Sequence, residues 1–148
     1  MNKIDLLGKN AVVTGSARGI GFTIAQRLLT SGARCSLWDM DAGALAAAAK
    51  SLSGSGQVHT VTMNVTEPES VQRAAEATFQ EFGSIDILVN NAGIAGATKK
   101  TWEFTPAEWQ QVLQVDLFGV FSFSAPPHDS IKTLQTNPLA RPAAIPRV

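Results

Sequence analysis

The chain has 148 residues, of which 45% are hydrophobic and 16% charged, and its formal net charge is zero. This composition excludes a disordered chain, and the charge balance gives no support to a nucleic-acid partner or an anionic membrane surface. The length fits one domain, able to bury about two-thirds of its unfolded surface.

The opening segment, MNKIDLLGKN, lacks an apolar signal-like stretch, and no apolar run nears the roughly 18 residues of a membrane helix. A soluble, cytoplasmic protein with no membrane partner is the expectation. Ala11-Val12-Val13 forms a short apolar run ending in Thr14. A glycine-rich turn, Gly15-Ser16-Ala17-Arg18-Gly19, follows, and a helix is expected to start at Ile20-Gly21. Ile20, Ile24, Ala25, Leu28 and Leu29 give that helix one apolar face, and Ser31-Gly32 ends it. Arg34 to Trp38 reads as a second strand closed by Asp39, with Cys35 as a plain buried thiol. A lone cysteine makes no internal disulfide and no metal site, so no metal is expected.

Asp41 caps an alanine-rich helix over Ala42 to Leu52. Ser53-Gly54-Ser55-Gly56 is a flexible turn, and Val58 to Met63 is a β-branched third strand. The next helix starts at Thr66 or Glu67 with Pro68 in its first turn. It carries the stripe Val71, Ala74, Ala75, Thr78, Phe79, Phe82 and ends at Gly83. Ile85 to Val89 is the fourth strand, leading into Asn90-Asn91-Ala92-Gly93. After a polar loop, Thr105-Pro106-Ala107-Glu108 opens a helix to Phe121, with Trp109, Val112, Leu113, Asp116, Leu117 and Val120 along it. From Ser124 to Val148 five of the chain's seven prolines accumulate without apolar periodicity, and an irregular tail is expected. Alternating strands and helices predict an α/β fold, a doubly wound parallel sheet over residues 1–123.

Strand, glycine turn and helix together make a cradle for a pyrophosphate, because a Cβ in the turn would hold the phosphate away from the backbone N–H groups. The glycines at 15, 19 and 21 follow G-x-x-x-G-x-G, a weak signal alone. Asp39, 18 residues beyond Gly21, stands where a carboxylate can accept from an adenosine ribose; a plain turn cap is the competing reading. Asn90 to Gly93 lies at the carboxyl end of a strand, where open α/β sheets bind ligands, although Asn and Gly also make ordinary turns.

These residues together resemble the short-chain dehydrogenase/reductase family, over about residues 5 to 123. Thr14 to Gly21 looks like its T-G-x-x-x-G-I-G, and Asn90 to Gly93 is its N-N-A-G. The resemblance implies a Rossmann-like domain in which Gly15, Ser16, Arg18, Gly19, Ile20 and Gly21 line the pyrophosphate and adenosine side. It implies adenine contact at Asn64-Val65, where the family has Asp-Val, and contact of Asn91, Ala92 and Gly93 with the riboses. Asp39 matches the position where an acid favours NAD, whereas Arg18 sits where a base accompanies NADP. A carboxylate facing the ribose outweighs a mobile arginine, and NAD is the expected cofactor, with NADP less favoured.

The implied activity is hydride transfer between a nicotinamide cofactor and an alcohol or carbonyl substrate, with Gly93 to Glu103 as one wall of the substrate pocket and Thr101 or Trp102 touching substrate. The family's asparagine in V-N-x-x-G is here Asp116, which is equally well a solvated helical acid. Its catalytic serine and Tyr-x-x-x-Lys find no match, and the chain contains no tyrosine. The family's strand order implies a truncated 3-2-1-4 sheet with Ile85 to Asn90 as an open edge. A homo-oligomer through that edge or through the Thr105–Phe121 helix would cover the exposed surface. The expectation is therefore an oxidoreductase by descent that is inactive as this chain. The alternative is a non-catalytic dinucleotide-binding or partner-binding module, either a pseudoenzyme or a frameshifted fragment.

Overall fold

The computed structural model describes residues 4–124. Four parallel strands, β1 (Asn10–Thr14), β2 (Arg34–Asp39), β3 (Val58–Thr62) and β4 (Ile87–Val89), lie in the order β3-β2-β1-β4. Helices α1 (Gly19–Thr30), α2 (Ala42–Leu52) and α3 (Pro68–Phe82) connect them. Beyond β4 come a 3-10 turn (Thr101–Glu103), α4 (Pro106–Leu113), a π-helical segment (Gln114–Phe118) and α5 (Gly119–Ser124). The expected irregular tail lies outside the described residues except for Ser124, which closes α5.

The period-two pleat divides the apolar residues of the sheet between two cores. Ala11 and Val13 point to one face, with Cys35 and Leu37, and are covered by Ala25 and Leu29 of α1 and Leu45, Ala48 and Leu52 of α2. Val12 and Trp38 point to the other face, with Met63, and are covered by Val71 and Ala74 of α3 and Phe123 of α5. β1 and β2 are central and buried almost throughout, which is why their sequences run apolar rather than alternating.

The second core encloses polar groups that complete one another. The Trp38 indole N–H donates to Ser36 Oγ at 2.8 Å and to Thr78 Oγ1 at 3.1 Å. Ser36 Oγ also meets His59 Nδ1 at 2.9 Å. Burial, opposed by the charge of Glu81, pushes the His59 imidazole below its usual range.

Three sequence expectations shift. The fourth strand begins at Ile87 rather than Ile85; just before it Asp86 donates its N–H to the Asn10 carbonyl at 2.8 Å and accepts the Asn10 N–H on its carboxylate at 2.9 Å. The single helix expected from Thr105 to Phe121 is interrupted by the π-helical segment. Its apolar face is uncovered, as expected: Trp109, Leu113 and Leu117 are exposed, as are Phe118 and Phe121. Ile20, placed on the apolar face of the first helix, is 75% exposed, and Phe22 packs against the core instead.

Two substitutions test this account by urea unfolding. Leu52→Ala empties a fully buried position and should cost about 2–5 kcal/mol. Thr78→Val keeps the volume but removes one acceptor of the Trp38 N–H, and should cost about 1–3 kcal/mol.

Candidate functional site

The turn after β1 is held by a set of close contacts with the turn after β4. Gly15 has a φ of +62°, and a Cβ there would lie 2.9 Å from Ala92 Cα. A Cβ on Gly21 would lie 2.3 Å from the Gly15 carbonyl oxygen and 2.5 Å from Asn91 Nδ2. That space is taken by the Asn91 amide, which donates to the carbonyls of Thr14 at 2.9 Å and Gly15 at 3.1 Å. Thr14 Oγ1 accepts the N–H groups of Asn91 at 3.0 Å and Ala92 at 2.9 Å, and donates to the Val89 carbonyl at 3.4 Å. Thr14 is thus the hub joining the two motifs, a role that strand patterning does not reveal.

Gly19 differs from its two companions. Its φ is +59°, and nothing lies within 4 Å of a Cβ built on it. Helix α1 also begins without a side-chain cap. The start of this 12-residue helix thus has no side-chain cap and open space beside Gly19, next to Arg18 on the cleft, a setting suited to an anion.

An open cleft of about 750 Å³ runs from Gly15 and Arg18, past Asp39 and Asn64-Val65, to Asn91-Ala92-Gly93 and Val115. Most of the expected site residues thus share one cavity. Asp39 presents its carboxylate there, already accepting the Ala17 N–H at 3.1 Å and the Asp41 N–H at 3.2 Å. Arg18 borders the cleft as an ion pair with Asp41, which the sequence shows only as a helix cap.

Two positions are engaged by the protein itself, Ser16 away from the cleft and Asn64 on its wall. Ser16 is fully buried, with its hydroxyl donating to the Trp38 carbonyl at 3.4 Å, so it supports the turn from within. The Asn64 amide oxygen accepts both the N–H (3.0 Å) and the hydroxyl (2.9 Å) of Thr66, which fills both of its acceptor positions.

Asp116 stands in the π-helical segment, where its Oδ1 accepts the Ile94 N–H at 2.9 Å. A Cβ on Gly93 would come within 3.3 Å of that oxygen. The residue therefore anchors the loop after β4, and it is more than a solvated helical acid. The loop's far end is tied by Lys99 Nζ, at 2.6 and 2.8 Å from the two oxygens of Glu108. Glu108 also completes a capping box with Thr105. Thr101 and Trp102 form the 3-10 turn, with Trp102 80% exposed. Of the other groups able to carry acid–base or nucleophilic chemistry, the Ser122 hydroxyl donates to the Phe118 carbonyl at 3.0 Å. His59 lies in the second core, and His128 and Lys132 lie outside the described residues. Cys35 is fully buried, and burial pushes its thiol up to about 12. Among the described residues no three His, Cys, Asp or Glu side chains gather as a metal site, and no helix is long and apolar enough to cross a membrane.

The parallel order β3-β2-β1-β4 with a glycine turn and cleft at its carboxyl edge defines a Rossmann-like domain. The chain belongs to the short chain dehydrogenase family, which matches residues 9–132. It is 37% identical over 114 residues to 2-dehydro-3-deoxy-L-rhamnonate dehydrogenase (NAD(+)) of Sphingomonas sp. (strain SKA58), covering 77% of this chain and 45% of that protein. A crystal structure of NAD+-bound xylitol dehydrogenase superposes with a TM-score of 0.81 at 30% identity, covering 87% of this chain and 50% of the other. L-sorbose reductase from Gluconobacter frateurii, in complex with NADPH and L-sorbose, superposes at 0.76 with 33% identity, over 83% of this chain and 47% of the other. The chain thus spans about half the length of the relatives it matches.

Two outcomes follow from the geometry. Gly21→Ala gains about 1 kcal/mol of helix propensity but must displace backbone at 2.3 Å, at about 1–3 kcal/mol or more. Net destabilisation by urea unfolding, with altered amide shifts at Gly15 and Asn91, is expected. Lys99, followed by the Thr105 groups, holds the Glu108 carboxyl at about 2 against an ordinary 4.5. A depressed carboxyl adds stability that is full above pH 4.5 and lost as pH falls towards 2. Melting temperatures measured from pH 6 to 2.5 should therefore fall less steeply in Glu108→Gln than in the wild type.

Proposed function

We propose that these residues form the dinucleotide-binding half of a short chain dehydrogenase site, preferring NAD over NADP. The observation that carries this reading is the junction of Gly15, Gly21 and Asn91, which sets an uncapped helix N-terminus and the Asp39 carboxylate on the same cleft. In this reading the uncapped start of α1 takes the pyrophosphate. Asp39 accepts from the adenosine ribose with the lone pairs its backbone donors leave free. Asn91, Ala92 and Gly93 border the riboses from the opposite wall, and Val65 rather than the engaged Asn64 amide offers contact to adenine. A nicotinamide cofactor would supply hydride chemistry in such a site.

Hydride transfer to a carbonyl also needs a proton at the developing alkoxide. The 148 residues contain no tyrosine, the Ser122 hydroxyl is spent on the helix backbone, and Asp116 holds Ile94. We therefore infer cofactor binding without turnover from these residues alone, with the alcohol or carbonyl substrate class following the family. Exposed Trp109, Leu113, Leu117, Phe118 and Phe121, together with the open edge of β4, support a second reading as a partner-binding module.

NADH titrated into the folded chain by calorimetry should bind with micromolar to millimolar affinity. It should also quench Trp38, which borders the cleft beside Asp39. Asp39→Ala should weaken NADH binding about tenfold, the loss of a charge-assisted contact worth about 1.4 kcal/mol. A flat wild-type titration overturns the reading.

A further inference from the structure

The end of β2 and the start of α2 carry two carboxylates that the fold uses differently. Asp39 accepts N–H groups from Ala17 and Asp41, which fixes it at the rim of the cleft. Asp41 Oδ1 accepts the Ala44 N–H at 2.9 Å as the cap of α2, and its Oδ2 is paired with Arg18 Nη2. Arg18 is the basic side chain of the cleft lining, so after this pairing the trio of Arg18, Asp39 and Asp41 retains one negative charge.

We propose that Asp41 is a specificity-determining residue, which by pairing with Arg18 withdraws the guanidinium from a ribose 2′-phosphate and so favours a dinucleotide with free ribose hydroxyls. This rests on the NAD reading above and adds a residue that neither glycine turn nor ribose carboxylate accounts for. An exposed ion pair is normally weak because two mobile side chains must be ordered together. Here the cap to Ala44 has already ordered Asp41, and the entropic cost falls on Arg18 alone. The Ala44 N–H, opposed by desolvation and aided by Arg18, holds the Asp41 carboxyl below its usual range.

A 2′-phosphate could recruit Arg18 only by drawing it off Asp41. The phosphate would then face two carboxylates, one of them newly unpaired. Without the Asp41 carboxylate, Arg18 is free for a charge-assisted, bidentate phosphate contact, and half of the repulsion disappears.

The test is calorimetric titration of the full 148-residue chain with NADH and with NADPH. Asp41→Ser retains a capping hydroxyl, and Asp41→Asn retains a capping amide oxygen, so either keeps α2 started. Each should lower the NADPH-to-NADH ratio of dissociation constants about tenfold, and 0.5 M salt should shrink that gain. Adding Arg18→Met to Asp41→Ser should abolish it. An unchanged ratio in variants that bind NADH, or a gain that survives Arg18→Met, overturns the role of Asp41 and leaves the NAD reading standing. Absence of binding by either dinucleotide to the wild-type chain overturns both.

Discussion

The structure depends on one steric condition, that no side chain stands at Gly21. Only then can the first turn of α1 rest on the Gly15 carbonyl while the Asn91 amide enters between them. Asn91 and Thr14 then join the ends of β1 and β4, and these contacts are hydrogen bonds within a few ångströms of the cleft floor. Since β1 is central and β4 is its neighbour, the junction sits where the connections diverge to opposite faces of the sheet. That is the place at which open α/β sheets leave a crevice. The cleft is thus a by-product of topology, and the glycines decide how closely a ligand can approach it.

Much of this was legible in the sequence, for identifiable reasons. Most helix bounds follow from local signals, the Asp41 cap, Pro68 at a helix start and the Gly83 cap, whereas the strand order came from the family resemblance alone. What could not be read depended on contacts between residues far apart in the chain. Asp86 bonds Asn10 through both its backbone and its carboxylate just before β4, and Asp116 reaches back to Ile94 from a π-helical segment that periodicity reports as plain helix. Within the site, Ser16 turns inward to Trp38, and Arg18 finds Asp41 across the cleft rim. The family resemblance named Ser16 and Arg18 as candidates, but only packing decides which way each faces.

The two sides of the sheet are unequally finished. The glycine turn, Asp39 and Trp38 rest on central strands whose apolar residues are almost wholly buried. β4 is a three-residue edge strand with Leu88 exposed, and the α4 to α5 region carries large apolar side chains at the surface. The apolar groups on the glycine-turn side of the sheet are thus covered, and many of those on the α4 to α5 side are not.

Asp116, in the α4 to α5 region, holds the loop after β4. An asparagine at this place offers both an acceptor and two donors, whereas a carboxylate only accepts. The acceptor is what the loop requires, because Ile94 presents an N–H at 2.9 Å and Gly93 leaves just enough room for the oxygen. Exchange of amide for carboxylate therefore preserves the anchor after β4 and removes only the capacity to donate. The residue thus retains the contact that holds the loop after β4 in place.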